Sequence, residues 1–181
     1  KAFKETDSGW TDPITLERDL KDKTESTTKA FSELTAAQNL VTNLEEELAK
    51  LQKEKPGKEA AYISHKATFD KIGEEIKTEI GKLDTTIAGL EAKIGGLPEN
   101  TPAKDLSLIT AHINAALLSR NKLFEQRKEL YTAYADAENE KNAITTRITE
   151  LGSSTAGLIK KAMDDVLAKK TAHRKAEDEE K

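Results

Sequence analysis

The chain contains no cysteine among its 181 residues. Disulfide bonds, thiol catalysis and cysteine metal sites are therefore excluded. Aromatic residues make up only 4% of the chain, and no apolar run approaches the roughly 18 residues that a membrane span requires. The apolar fraction of 36% is too low for a thick core. It is sufficient for a narrow seam that runs along several helices.

Prolines are also few, and each of the four is predicted to lie at a helix break. A proline in a helix interior costs about 3 kcal/mol, so prolines tend to mark helix ends. Between the breaks, apolar residues recur every three or four positions, which is the spacing of an α-helix and not of a strand. The clearest stripe consists of Phe69, Ile72, Ile76, Ile80, Leu83, Ile87, Leu90 and Ile94.

These signals predict an all-α fold, in which one domain covers residues 1–181. Asp12 is the predicted N-cap of the first helix, with Pro13 as its first residue. Gly95–Thr101 is a predicted loop, and short loops make consecutive helices antiparallel. We therefore expect an elongated, antiparallel up-down bundle of three long helices and a shorter fourth, with an intermolecular coiled coil as the alternative. The predicted segments are an arm (1–11) and helices at 12–55, 58–94, 102–151 and 154–179.

The predicted arm carries the only tryptophan, Trp10. We expect Phe3 or Trp10 to dock onto the bundle, with a frayed terminus as the alternative. The breaks at Pro56-Gly57 and Gly152-Ser153-Ser154 are predicted to be exposed turns at the end of the bundle farthest from a membrane.

The net charge is −4, and acidic and basic residues alternate along the predicted helices. This balance does not favour binding to nucleic acid or to an anionic membrane. A basic cluster, Lys169 to Lys175, is followed at once by the acidic run Glu177 to Glu180. We interpret both as a solvated helix end.

No motif in the sequence indicates catalysis, a cofactor or a metal. A phosphate-binding loop, an HExxH helix, an EF-hand and a nucleophile elbow are all missing. His65, His112 and His173 fall on three different predicted helices and share no ligand spacing. The chain also lacks the Glu-x-x-His motif of di-iron bundles. We therefore predict a protein that is not an enzyme and that has no cofactor.

Tyr131 and Tyr134 lie three residues apart on the third predicted helix, and Phe124 lies one or two turns before them. Core packing, with the hydroxyl groups at the edge, is the favoured interpretation. A binding patch for a partner protein is the alternative.

The predicted bundle resembles the glutamic acid/alanine-rich surface protein family of insect-stage African trypanosomes, which is itself similar to the core of the variant surface glycoproteins. The resemblance rests on the predicted long paired helices, the loop at their far end, alanine-rich helix stretches and an acidic tail. These features are Lys55-Pro56-Gly57, Gly95-Gly96-Leu97-Pro98, Ala115-Ala116, Ala133, Ala135, Ala137 and Glu177-Asp178-Glu179-Glu180.

The resemblance implies a non-enzymatic coat protein on the extracellular face of the plasma membrane. Its expected partners are neighbouring copies in the coat, with host proteins or antibodies as further contacts. The membrane is expected to be reached only through a lipid anchor outside this chain. The frequent threonines also favour a surface protein. Two alternatives remain open at this point: an intracellular coiled-coil scaffold that binds a partner helix, and a ligand-binding receptor bundle.

Overall fold

The computed structural model of the protein describes residues 12–180. Within this range the chain forms helices and turns without any strand, which confirms the predicted all-α class. A π-helical segment, Phe69–Gly73, joins the first two helices. The predicted docking of Phe3 or Trp10 lies outside the described residues. The α-helices are α1 (Pro13–Thr68), α2 (Glu74–Gly95), α3 (Ala103–Gly152) and α4 (Leu158–Glu180).

The predicted start of the first helix is confirmed. The Asp12 carboxylate accepts a hydrogen bond from the backbone N–H of Ile14 at 3.4 Å. The Asp12 carbonyl accepts the first helical bond, from Leu16 N–H, at 3.0 Å. Pro13 follows as the first helical residue, where its missing N–H costs nothing.

The predicted helix break at Pro56-Gly57 is wrong, because α1 passes through both residues without a turn. Packing outweighs the cost of the proline, since the half-buried positions keep their three-and-four spacing across it. Lys58 is one of these positions, and its ammonium group forms an ion pair with Glu140 of α3. Its aliphatic stem continues the seam where an apolar side chain would otherwise be expected.

The predicted loop after Gly95 is confirmed. The Gly96 N–H closes the last turn of α2 by donating to the carbonyls of Ala92 and Lys93, at 3.1 and 3.2 Å. The Thr101 hydroxyl donates to the Pro98 carbonyl at 2.6 Å and fixes the loop before α3 begins at Ala103.

The structure divides into two compact units, whereas the sequence predicted one domain. Unit 1 contains the described residues up to Gln52 and those from Thr146 onward, and unit 2 contains Lys53–Thr145. In unit 2, α2 and α3 run antiparallel, because Asp84 pairs with Arg120 at 2.9 Å while the earlier Gly73 accepts a bond from the later Arg127.

In unit 1, the end of α3 and then α4 pack against α1. The end of α3 contacts Glu47 and Leu48 of α1, whereas α4 contacts Glu33 and Phe31, so the contacts move toward the start of α1 as the chain passes from α3 into α4. The segment after Gly152 therefore interrupts the helix without reversing its direction along α1. The predicted reversal at Gly152-Ser153-Ser154 does not occur in unit 1. The pairs are Arg147 with Glu47, Gly152 with Leu48, Lys169 with Glu33, and His173 with Phe31.

Gly157 explains how the chain passes this interruption. Its N–H donates to the Ser153 carbonyl at 3.0 Å, and its carbonyl accepts from Lys161 N–H at 3.1 Å. A Cβ at Gly157 would lie 2.5 Å from the Ser153 carbonyl oxygen and 2.8 Å from the Leu151 carbonyl oxygen. Only glycine allows the backbone to approach itself this closely.

The core of each unit is a narrow seam. In the described part of the chain, Leu151 is the one large side chain with no exposed surface. Threonines are tolerated in the helices because their hydroxyl groups donate to the carbonyl four residues earlier, as Thr35 does to Phe31 at 3.0 Å. The other core residues are Leu34, Ala37 and Ala162 in unit 1 and Ile80, Ile87, Ala116, Ala137 and Ile144 in unit 2.

Candidate functional site: an aromatic cluster beside a π-helical segment

The π-helical segment Phe69–Gly73 is the main irregularity of the long helical run in unit 2. Segments of this kind often occur at functional sites, because they free a backbone carbonyl from the helical pattern. Here the Gly73 carbonyl accepts a hydrogen bond from Arg127 Nε of α3 at 3.1 Å. The Arg127 guanidinium also lies 3.6 Å from a carboxylate oxygen of Glu74. Arg127 thus ties the segment to α3.

Four aromatic side chains gather around this segment and form what we name the aromatic cluster: Tyr62, Phe69, Tyr131 and Tyr134. The rings of Phe69 and Tyr134 are stacked, with centroids 5.9 Å apart and an angle of 7° between their planes. Tyr131 meets Phe69 edge-on at 5.5 Å. Tyr62 meets Tyr134 at 5.8 Å. These distances fall in the range in which aromatic pairs attract each other beyond simple burial.

Cations lie over two rings of the aromatic cluster. The guanidinium carbon of Arg127 lies 5.3 Å from the centroid of the Phe69 ring, and Lys141 Nζ lies 3.8 Å from that of Tyr62. Both distances are within the range of cation–π attraction. Each contact joins α3 to α1 or to the π-helical segment, so the cations stabilise the pairing of helices in unit 2.

Two polar groups at the aromatic cluster have a raised pKa. Burial, followed by the nearby Glu138 carboxylate, raises the pKa of the Tyr134 hydroxyl, so this phenol stays protonated. A hydrogen bond to Asp70 raises the pKa of the Lys66 ammonium, which therefore stays charged. The arrangement is suited to holding helices together or to contacting another surface.

The structure keeps Tyr131 and Tyr134 in contact, with ring centroids 6.2 Å apart, but the two side chains differ in exposure. Tyr134 is half-buried in the aromatic cluster, as the core-packing interpretation expects, whereas Tyr131 remains 54% exposed. Phe124 is also exposed, with Arg120 at 6.0 Å from its ring. Sequence reasoning did not connect the tyrosines with Tyr62 and Phe69. The seven-residue spacing of Tyr62 and Phe69 was the available signal.

The five residues predicted to form exposed turns differ in exposure and in secondary structure. Pro56 and Gly57 are exposed, but they lie inside α1 and form no turn. Gly152 ends α3 and is exposed, Ser153 is half-buried and Ser154 is exposed. The hypothesis that Pro56-Gly57 forms a loop at one end of the bundle is therefore wrong.

The three histidines lie on α1, α3 and α4. His65 and His112 are exposed, whereas the side chain of His173 is only 17% exposed. Its ring packs against Phe31 with centroids 5.6 Å apart, and its Nδ1 lies 3.8 Å from a Glu177 carboxylate oxygen. In residues 12–180 no group of three potential ligands is arranged to hold a metal ion.

Unit 1 offers a second candidate site, an apolar groove between α1 and α4 with a volume of about 450 Å³. Its floor is formed by Val41 of α1 and by Met163, Val166 and Leu167 of α4. Met163 and Leu167 are 46% and 66% exposed, so the groove is open to solvent. We refer to it as the α1–α4 groove.

Comparisons of the chain with protein-family models, curated proteins and solved structures give no match. Along the described helices, none is both long enough and apolar enough to cross a membrane.

Proposed function

We propose that the protein is a non-enzymatic coat protein on the extracellular face of the plasma membrane. Held by a lipid anchor, it shields a parasite surface and contacts neighbouring copies and the insect host. The observation that carries the proposal is the narrow seam of each unit, in which Leu151 is the one large described side chain that is wholly buried. A chain built in this way uses most of its residues as helix surface.

The charge pattern of that surface supports the same proposal. Acidic and basic side chains form pairs along single helices, such as Lys160 with Asp164 at 2.7 Å. Other pairs join two helices, such as Arg147 with Glu47 at 2.7 Å. Because the charges are locally balanced, copies at high density would repel one another only weakly.

The proposal is tested by where the protein is found. Antibodies raised against the purified chain should label intact cells that express it. A phospholipase that cleaves glycosylphosphatidylinositol anchors should release it into the medium. A known cytosolic protein, detectable only after permeabilisation, serves as the control. Labelling that requires permeabilisation, together with no release by the phospholipase, would contradict the coat proposal.

A second candidate function is a coiled-coil scaffold inside the cell that binds a partner helix. The α1–α4 groove favours it, because an amphipathic helix can place its apolar face on an open groove of this kind. The exposed Leu167 and Met163 would form the contact. The same labelling experiment separates the two functions, since a scaffold is detected only in permeabilised cells.

A further inference from the structure

The basic residues near the end of α4 differ in whether they have a partner. Three of them lie 3.1–3.9 Å from a carboxylate oxygen: Lys169, His173 and Lys175. Lys170 and Arg174 form no ion pair with any residue that the structure describes. These two residues are four positions apart, so they lie on the same face of α4. Two unpaired cations on one face attract an anion.

The same face of α4 is apolar in the preceding turns. Met163, Leu167, Lys170 and Arg174 follow one another at spacings of four, three and four residues, so they form one stripe along the helix. Met163 and Leu167 belong to the floor of the α1–α4 groove, and Lys170 also lines it. The stripe therefore changes from apolar to cationic along its length.

The described residues that line the α1–α4 groove include no acidic side chain. Besides the apolar floor, α1 contributes only Gln38 and Thr42. No carboxylate in the lining therefore neutralises the ammonium group of Lys170, whose aliphatic stem can lie along the apolar floor. Small-molecule sites typically combine an apolar lining with a few polar groups. The groove volume of about 450 Å³ lies within their usual range of roughly 300–1,000 Å³.

We propose that the α1–α4 groove binds a small anionic amphiphile with a single hydrocarbon chain, such as a medium-chain fatty acid. The hydrocarbon chain lies on Val41, Met163 and Leu167, where apolar surface is removed from water. The anionic head lies at Lys170 and Arg174, which donate charge-assisted hydrogen bonds to it. The eleven steps from Met163 to Arg174 span about 16 Å, which is comparable to the length of such a molecule.

The placement of charge at one end of the groove selects this class of ligand. A cationic amphiphile with the same hydrocarbon chain is repelled by Lys170 and Arg174, and a neutral one gains only the contact with the floor. Because Leu167 is 66% exposed, the groove is open and the ligand stays partly in water. The expected dissociation constant is therefore modest, roughly 0.1–1 mM.

This binding goes beyond the proposed coat function and does not depend on it. Binding is measured on the purified chain, whereas the coat proposal fails or holds on where the protein is found in the cell. The scaffold function places a partner helix in the same groove, so a peptide helix is included among the ligands below.

The first experiment uses Met163, the single methionine of the chain, whose methyl group gives one NMR signal at the groove. The methyl-labelled chain is titrated with decanoate below the concentration at which decanoate forms micelles. We expect a saturable shift of the Met163 signal with a dissociation constant of roughly 0.1–1 mM. Decyltrimethylammonium, which has the same hydrocarbon chain and the opposite charge, should bind at least roughly tenfold more weakly. No saturable shift with decanoate, or equal binding of both compounds, would overturn the proposal.

The second experiment locates the head group. Lys170→Gln should weaken decanoate binding severalfold, and adding Arg174→Gln should bring the loss to roughly tenfold. Lys161→Gln is the matched control, because Lys161 is an exposed lysine of α4 that lies nine positions earlier and therefore on the opposite face. It should leave binding unchanged. If Lys161→Gln weakened binding as much as Lys170→Gln, overall charge would explain the effect and the assigned head-group site would be wrong.

The third experiment tests the floor and the other occupants. Leu167→Gln should weaken decanoate binding severalfold, with circular dichroism confirming that the variant keeps its helices. Unchanged binding would overturn the placement of the hydrocarbon chain. A Met163 signal that responds to an acidic amphipathic peptide helix and not to decanoate would assign the groove to a partner protein. A signal that responds only to the concentration of the chain itself would assign it to a second copy. Either result would overturn the proposal.

Discussion

Leu151 near the end of α3 is the residue at which a single substitution should cost most. It has no exposed surface, whereas the other core residues of unit 1 that we describe retain 6–9% exposure. Leu151→Ala removes three carbon atoms, each worth about 0.8 kcal/mol of transfer free energy. Including the cavity left behind, we expect a loss of about 2–5 kcal/mol in the free energy of unfolding.

The matched control is Leu167→Ala on α4, which lies in the same unit and is 66% exposed. Because only about a third of its surface is removed from water, its loss should be about 1 kcal/mol or less. Urea unfolding followed by circular dichroism measures both losses. The slope with urea should stay the same in both variants. If Leu151→Ala cost no more than Leu167→Ala, the seam would not be the source of stability in unit 1.

Three further predictions concern the backbone and one ion pair. Gly157→Ala should destabilise the protein, because the new Cβ would collide with the carbonyls of the turn. Gly81→Ala, whose Cβ meets nothing within 4 Å, should stabilise the protein by about 0.5–1 kcal/mol. Thermal melting of both variants checks this, and equal changes in melting temperature would contradict it. Pro56→Ala should raise the free energy of unfolding by up to about 3 kcal/mol, because Pro56 lies inside α1. If urea unfolding shows no gain or a loss, the turn predicted from the sequence at Pro56 would be the better description. The hydrogen bond from Arg147 lowers the pKa of the Glu47 carboxyl. The ion pair therefore stabilises the fold above the ordinary pKa of a glutamate, and this stabilisation is lost as the pH falls through the lowered pKa. The difference in unfolding free energy between wild type and Glu47→Gln should shrink on acidification, and a difference that stays constant with pH would refute this.

The sequence was sufficient for the local features of this fold. The helix start at Asp12-Pro13 and the loop after Gly95 were predictable because each depends on the conformational preferences of neighbouring residues. The all-α class followed from the three-and-four spacing, which the buried residues Ile80 and Ile87 share.

Features that depend on contacts between distant residues were not predictable in the same way. At Pro56 the local rule predicted a break, but the pairing of Lys58 with Glu140 and the unbroken seam outweighed it. The Gly152-Ser153-Ser154 segment looked like a reversal, yet Gly157 allows the chain to continue along α1. No local signal distinguishes these outcomes, because each is decided by packing against another helix.

The aromatic cluster was predicted only in part. The sequence identified Tyr131 and Tyr134 by their spacing on one helix. It could not show that Phe69 stacks on Tyr134, because these residues belong to different helical segments. The π-helical segment itself has no distinctive sequence. Its contacts with Arg127, through Gly73 and Phe69, join residues that lie far apart in the sequence.

The narrow seam also has a consequence for the evolution of this chain. Few side chains are deeply buried, so few positions are constrained by volume. At most other positions any good helix former would serve, and substitutions on exposed helix surfaces usually change stability by less than about 0.5 kcal/mol. We therefore expect descendants of this chain to keep the same helices while their sequences diverge quickly. The spacing of the seam residues and Gly157 should persist longest.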